Sequence, residues 1–213
     1  MKQAGSARNV FLLCSQVAFL AVAVGGLTAK TSDQAGWLGL LGFMLTLVPD
    51  FLRRTNKLVL PLSYEIVFIG YIFLSFIGGE NFDMYGRFWW WDRVLHFTSG
   101  IIIGYIAVLV LHIQELKHRI KIGHWFAALF TLASVVMSAG VWEMFEYSVD
   151  QLAQGHMQYG LVDTMTDIIN GTIGGIVVIL VTYWYFKYRP KKGVVTKAFS
   201  NFVKLNPWVA QGR

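Results

Sequence analysis

Several stretches of this chain approach the ~20 apolar residues that a helix needs to cross about 30 Å of hydrocarbon, six spans can be drawn from them, and nothing constrains its folding more. They run from Val10 to Leu27, Ala35 to Val48, Leu58 to Ile77, Val94 to Ile113, Trp125 to Tyr147 and Ile168 to Tyr188. The second is the shortest, is rich in glycine and is expected to stop at Pro49. Only 14% of the 213 residues are charged and 55% are hydrophobic, whereas soluble domains carry about 25% charged residues. The expected fold is therefore all-α, a polytopic bundle of six transmembrane helices. We read it as one domain over residues 1–190, with the polar site in 91–175 and a basic cytoplasmic tail over 191–213.

Lysine and arginine set the expected orientation, because they concentrate on the cytoplasmic side of membrane proteins. Lys2 and Arg8 precede the first stretch. Arg53, Arg54 and Lys57 follow the second, and Lys117, Arg119 and Lys121 follow the fourth. Seven more lie from Lys187 to Arg213. The other side holds Lys30, Arg87 and Arg93 alone, so both termini are expected inside. Trp89, Trp90 and Trp91 fit an outer aromatic belt, and Trp125 with Tyr183 and Trp184 fits an inner one. The net charge of +6 flanks apolar stretches, so no nucleic-acid partner is expected. The first stretch is read as a retained span; its length argues against a cleaved signal peptide. The single cysteine, Cys14, permits no intrachain disulfide and reads as a small packing residue.

Ionisable groups at the hydrocarbon boundary are costly and mark sites, pathways or partners. This chain carries three such groupings. Asp92 and His96 open the fourth stretch, four residues apart and hence on one helix face. Glu143 and Glu146 close the fifth, with Asp150 beyond them. Asp163, Asp167 and Asn170 form one stripe into the sixth. Eighteen residues from Trp125 to Glu143 rise about 27 Å, which places Glu143 at the outer boundary. Gly100 and Gly104, and then Gly171, Gly174 and Gly175, allow close helix approach beneath these groups. All three groupings are expected to meet in one shallow outward pocket, with Arg93 as the nearby cation. Carboxylates crowded together hold protons or take up a cation. Oxygen ligands suit Mg²⁺, Ca²⁺ or Mn²⁺, and the histidine admits Zn²⁺ or iron.

Each grouping also has a plain structural reading. Asp92, Asp163 or Asp167 can cap a helix, and Glu143 and Glu146 can face an aqueous loop. A lone histidine such as His96 is more often a hydrogen-bonded packing group. His156 reads as a solvated loop residue, and His112, His118 and His124 as interfacial. Asp50 and Glu65 are expected to be interfacial or paired with Arg53, Arg54 or Lys57. The tail, with Val194, Val195, Phe199, Phe202, Val203, Leu205 and Trp208 among its basic residues, reads either as lying on the anionic inner leaflet or as a partly ordered juxtamembrane segment.

The run Asp92-Arg93-x-x-His96-Phe97, then Glu143-x-x-Glu146, then Asp163-Thr164-x-x-Asp167 resembles the YjdF-like family of bacterial inner-membrane proteins, over about Trp91 to Gly175. That resemblance implies a bacterial plasma-membrane location and no particular chemistry. More distantly the pattern is similar to VanZ-like proteins, which implies a link to the cell envelope and glycopeptide antibiotics. Three departures stand out: Arg93 replaces lysine, Glu146 replaces glutamine, and Asp167 and Asn170 are three rather than four apart. CDP-alcohol phosphotransferases also end in Asp-x-x-x-Asp, but need an upstream Asp-Gly-x-x-Ala-Arg that this chain lacks. Ceramidase-type zinc hydrolases need several histidines where this pocket offers one.

Three functions compete on these residues. The first is a metal-dependent membrane enzyme acting on a lipid or lipid-linked head group, a hydrolase in the simplest case. In it His96, Glu143, Asp163, Asp167 and Asn170 are the metal ligands, Asp92 or Glu146 the general base, and Arg93 an anion clamp. The second is a proton- or cation-coupled transporter or flippase, although transport sites usually lie nearer the midplane. The third is a VanZ-like, non-enzymatic envelope or antibiotic-tolerance protein. Oligomeric state and substrate leave no mark in the sequence.

Overall fold

A computed structural model describes residues 2–29, 33–153, 155–188 and 193–211, and these are helical almost throughout, without a strand. The helices are α1 (Lys2–Ala29), α2 (Asp33–Thr46), α3 (Val48–Thr55), α4 (Leu62–Ile72), α5 (Met84–Arg87), α6 (Trp91–His118), α7 (His124–Ala153), α8 (Leu161–Tyr188) and α9 (Val194–Leu205). A π-helical segment, Phe73–Asn81, continues α4. Six helical stretches are long and apolar enough to cross a membrane: Ser6–Thr28, Ala35–Thr55, Leu62–Asn81, Trp91–His118, His124–Leu152 and Leu161–Trp184. On α1 the side chains of Val10, Leu13, Val17, Leu20, Val24 and Leu27 are all exposed. Their spacing of three and four makes one apolar stripe, which in water would be untenable and which suits contact with lipid.

Residues divide into two compact units, Met1–Trp91 and Asp92–Arg213. The segment read as a basic tail contains α9, which belongs to the second unit and packs Phe199 against Tyr105 of α6 at 5.8 Å and against His112 at 4.7 Å. Phe202, Asn206 and Val209 are fully buried, so the apolar residues spaced through the tail form a packed face. The backbone of residues 189–192 and the side chains of Val194 and Val195 lie outside the described residues, as do Lys30 and Arg213.

Two local expectations in the first unit need correction. Pro49 does not end the second span. It occupies the first turn of α3, where its missing N–H would have had no partner anyway, and the chain continues as a helix to Thr55 after a break at Leu47. α2 alone, at 14 residues, reaches only about 21 Å, so the proline-tolerant restart is what completes the crossing. Asp50 and Glu65 pair with Arg8 of α1. Its guanidinium lies 2.9 Å from Asp50 Oδ1 and 2.8 Å from Glu65 Oε1. Glu65 is 1% exposed, and a carboxylate that deep requires a charge partner.

Candidate functional site

The second unit brings three helix ends together. α6 and α8 begin, and α7 finishes, at the same end, because successive antiparallel spans alternate in direction. Asp92 and His96 occupy the first two turns of α6. Asp163 and Asp167 occupy the first two turns of α8, and Glu143 and Glu146 the last three turns of α7. Gly160 adopts φ +102° just before α8, a left-handed conformation that side chains disfavour, and so fixes how the chain enters that helix. The α7–α8 loop is held by carboxylates from both sides. Asp150 accepts the Met157 and Gln158 N–H groups at 2.8 and 2.9 Å, and Asp163 accepts the Tyr159 N–H at 3.2 Å.

Small residues set the helix spacing below this end. A Cβ added at Gly100 would run into the Gly171 carbonyl oxygen, and one at Gly174 into the Phe97 carbonyl. α6 and α8 therefore meet backbone to backbone. Gly175 plays the same part toward Val135 of α7, where an added Cβ would sit 2.9 Å from the valine side chain. This close approach is what carries Asp167 to His96.

His96 Nε2 lies 3.5 Å from Asp92 Oδ1 and 3.9 Å from Asp167 Oδ2, and one ligand atom from each of the three falls within 4.8 Å of the others. His96 and Asp167 are buried, while the Asp92 side chain is 33% exposed and forms the open lip. Glu143 and Glu146 of α7 lie within electrostatic range of His96 and Asp92. Glu146 accepts the Trp142 indole N–H at 2.8 Å. Gln158 reaches in from the loop, its amide donating to the Glu143 carbonyl, Glu143 Oε2 and Thr164 Oγ1, each at 3.2 Å. Asp167 Oδ1 and Glu143 Oε1 are buried with no hydrogen-bond partner among the described residues.

The expected residues thus separate. Asp92, His96 and Asp167 form the tight group, each with an atom able to ligate. Glu143 sits beside the group, engaged by Gln158. Asp163 is turned to the loop backbone, where it serves the helix start. Asn170 is half-buried one turn deeper in α8 and makes no side-chain hydrogen bond among the described residues. Arg93 and His156 are exposed. The sequence reading missed Gln158 and the Trp142 contact. Only the brevity and polarity of the loop after Asp150 hinted at Gln158. Replacing it as Gln158→Ala leaves Glu143 Oε2 buried without this donor. A loss of about 1–3 kcal/mol is expected, read as a lower thermal midpoint in detergent, with the α6–α8 contact intact.

A family model described as "Predicted membrane protein (DUF2238)" matches residues 10–188. An uncharacterized protein of Thermotoga maritima is 26% identical over 160 residues, covering 73% of this chain and 79% of its own length. No solved structure matches. The chain belongs to the DUF2238 family of membrane proteins, and the matched region takes in every helix that contributes to the site.

Proposed function

We propose that this protein is a metal-dependent enzyme of the bacterial plasma membrane, acting on a lipid or lipid-linked head group at the outer face. The observation that carries the reading is the cluster of Asp92, His96 and Asp167, in which Asp167 Oδ2 lies 3.9 Å from His96 Nε2 and the second oxygen, Oδ1, is buried without a hydrogen-bond partner among the described residues. A buried carboxylate oxygen without a partner is unfavourable, and a cation offsets that cost. Metal bonds of about 2.0–2.2 Å at tetrahedral or octahedral angles set ligand atoms roughly 3.0–3.5 Å apart, so the separations of 3.5 and 3.9 Å from His96, with all three atoms inside 4.8 Å, would contract on binding an ion.

Asp92, His96 and Asp167 would hold the ion, and a mixed imidazole–carboxylate set suits Mn²⁺ or Zn²⁺ and admits Mg²⁺ or Ca²⁺. A bound divalent ion supplies Lewis acidity toward a phosphoryl or carbonyl oxygen. Glu146, oriented by Trp142, takes the proton from the attacking water and returns it to the departing alcohol. The position at the helix ends, open at Asp92, supports a substrate presented from the interface.

The test is head-group release by the purified protein in lipid nanodiscs supplied with Mn²⁺, Zn²⁺ or Mg²⁺. The proposal expects turnover that a chelator and His96→Ala both abolish. Absence of turnover, together with solute or lipid movement that stops when the proton gradient collapses, would replace this reading with coupled transport.

A further inference from the structure

The first unit carries a second charged constellation, separate from the site above. Arg8 Nε donates to both Glu65 oxygens, at 2.9 and 2.8 Å, and Arg8 Nη2 donates to Asp50 Oδ1 at 2.9 Å. One guanidinium thus serves two carboxylates, leaving that network one negative charge in excess. Beside it opens a cavity of about 540 Å³, a volume within the ~300–1,000 Å³ of small-molecule sites. Its polar wall includes Asn9 and Gln16 of α1 and Arg53 and Arg54 in the last turn of α3. Both of these arginines are exposed and have no ion-pair partner among the described residues. The lining, with Arg8, Arg53 and Arg54 against Asp50, carries two net positive charges, or one when Glu65 behind Arg8 is included.

Leu13 lines the same cavity, and it belongs to the exposed apolar stripe of α1 together with Val10 and Val17. The cavity is therefore polar on one side and continuous with the lipid-facing wall on the other. Paired guanidinium forks match phosphate oxygens in geometry and charge. We infer that this cavity binds a phosphate-bearing anion between Arg53, Arg54 and the α1 amides, with the head group of an anionic phospholipid as its natural source. Asn9 and Gln16 supply neutral donors to the remaining oxygens, and Leu13 meets the start of an acyl chain.

Binding to the detergent-purified full-length protein tests this, by native mass spectrometry with phosphatidylglycerol and phosphatidylcholine. Arg53→Gln/Arg54→Gln removes the two exposed guanidiniums and leaves the Arg8–Glu65 pair intact, so the fold is preserved. Phosphatidylglycerol should bind at least about tenfold more tightly than phosphatidylcholine, and the double variant should lose that preference. Lys117→Gln/Lys121→Gln removes equal charge elsewhere and should retain it. Inorganic phosphate is then added at millimolar concentration. Failure to displace the lipid assigns the head group as the source, and displacement assigns a soluble phosphate to the same cavity. Equal binding of the two lipids, with no phosphate binding that depends on Arg53 and Arg54, overturns the inference, as does an equal loss in the two double variants. None of these outcomes depends on the metal site.

Discussion

Asp167→Asn is expected to stabilise the metal-free protein and to abolish its response to metal. The wild-type carboxylate is 2% exposed, lies beside Asp92 and His96 and leaves one oxygen without a hydrogen bond. An amide of the same shape removes the charge and offers N–H donors to the Asp92 carboxylate. A gain of about 1–3 kcal/mol in the absence of divalent ions is expected from ending the uncompensated burial. The same amide is a poor ligand for Mn²⁺ or Zn²⁺, so the metal-dependent rise in thermal midpoint shown by the wild type should vanish. Gain and loss together are the signature of a residue kept for its site at a cost in stability. A variant that is less stable without metal would show instead that Asp167 is a structural partner of His96. Thermal unfolding followed with and without chelator reads both effects.

Gly100→Ala is expected to destabilise by about 3 kcal/mol and to take metal binding with it. The new methyl group meets the Gly171 carbonyl, which is backbone and cannot rotate away. α8 must shift, and with it the separation between His96 on α6 and Asp167 on α8. Gly140→Ala makes the same chemical change in α7, where an added Cβ meets nothing within 4 Å. That variant should be neutral or more stable by up to about 1 kcal/mol, since alanine favours helix over glycine. Opposite signs for one substitution at two glycines separate close packing from helix propensity. If both variants behave alike, the α6–α8 contact does not set the site.

The convergence at this end was legible because two simple periodicities suffice for it. Asp92 and His96 at i, i+4 share a face, and six spans alternating in direction bring the starts of the fourth and sixth to the end of the fifth. What escaped the sequence depends on partners distant in the chain. Arg8 and Glu65 are 57 residues apart, and nothing local pairs them in preference to Arg53 or Lys57. Pro49 reads as a stop only if the helix begins before it; the break at Leu47 turns the same residue into a start. Gln158 enters the site from a loop whose path is set by Asp150 and Asp163. The packed α9 was hidden because spaced apolar residues in a basic tail suit a membrane surface as well as a helix-packing face. Roles within the cluster depend on distances of a few ångströms, which residue spacing along the chain does not give.

The central claim is that Asp92, His96 and Asp167 hold a divalent cation. Elemental mass spectrometry of the detergent-purified protein, alone and as His96→Ala, tests it most directly. The account predicts close to one Mn²⁺, Zn²⁺ or comparable ion per chain in the wild type after equilibration and removal of free metal, and little in the variant. A wild type that stays empty after exposure to Mg²⁺, Ca²⁺, Mn²⁺ and Zn²⁺, or a variant that retains its metal, would contradict it.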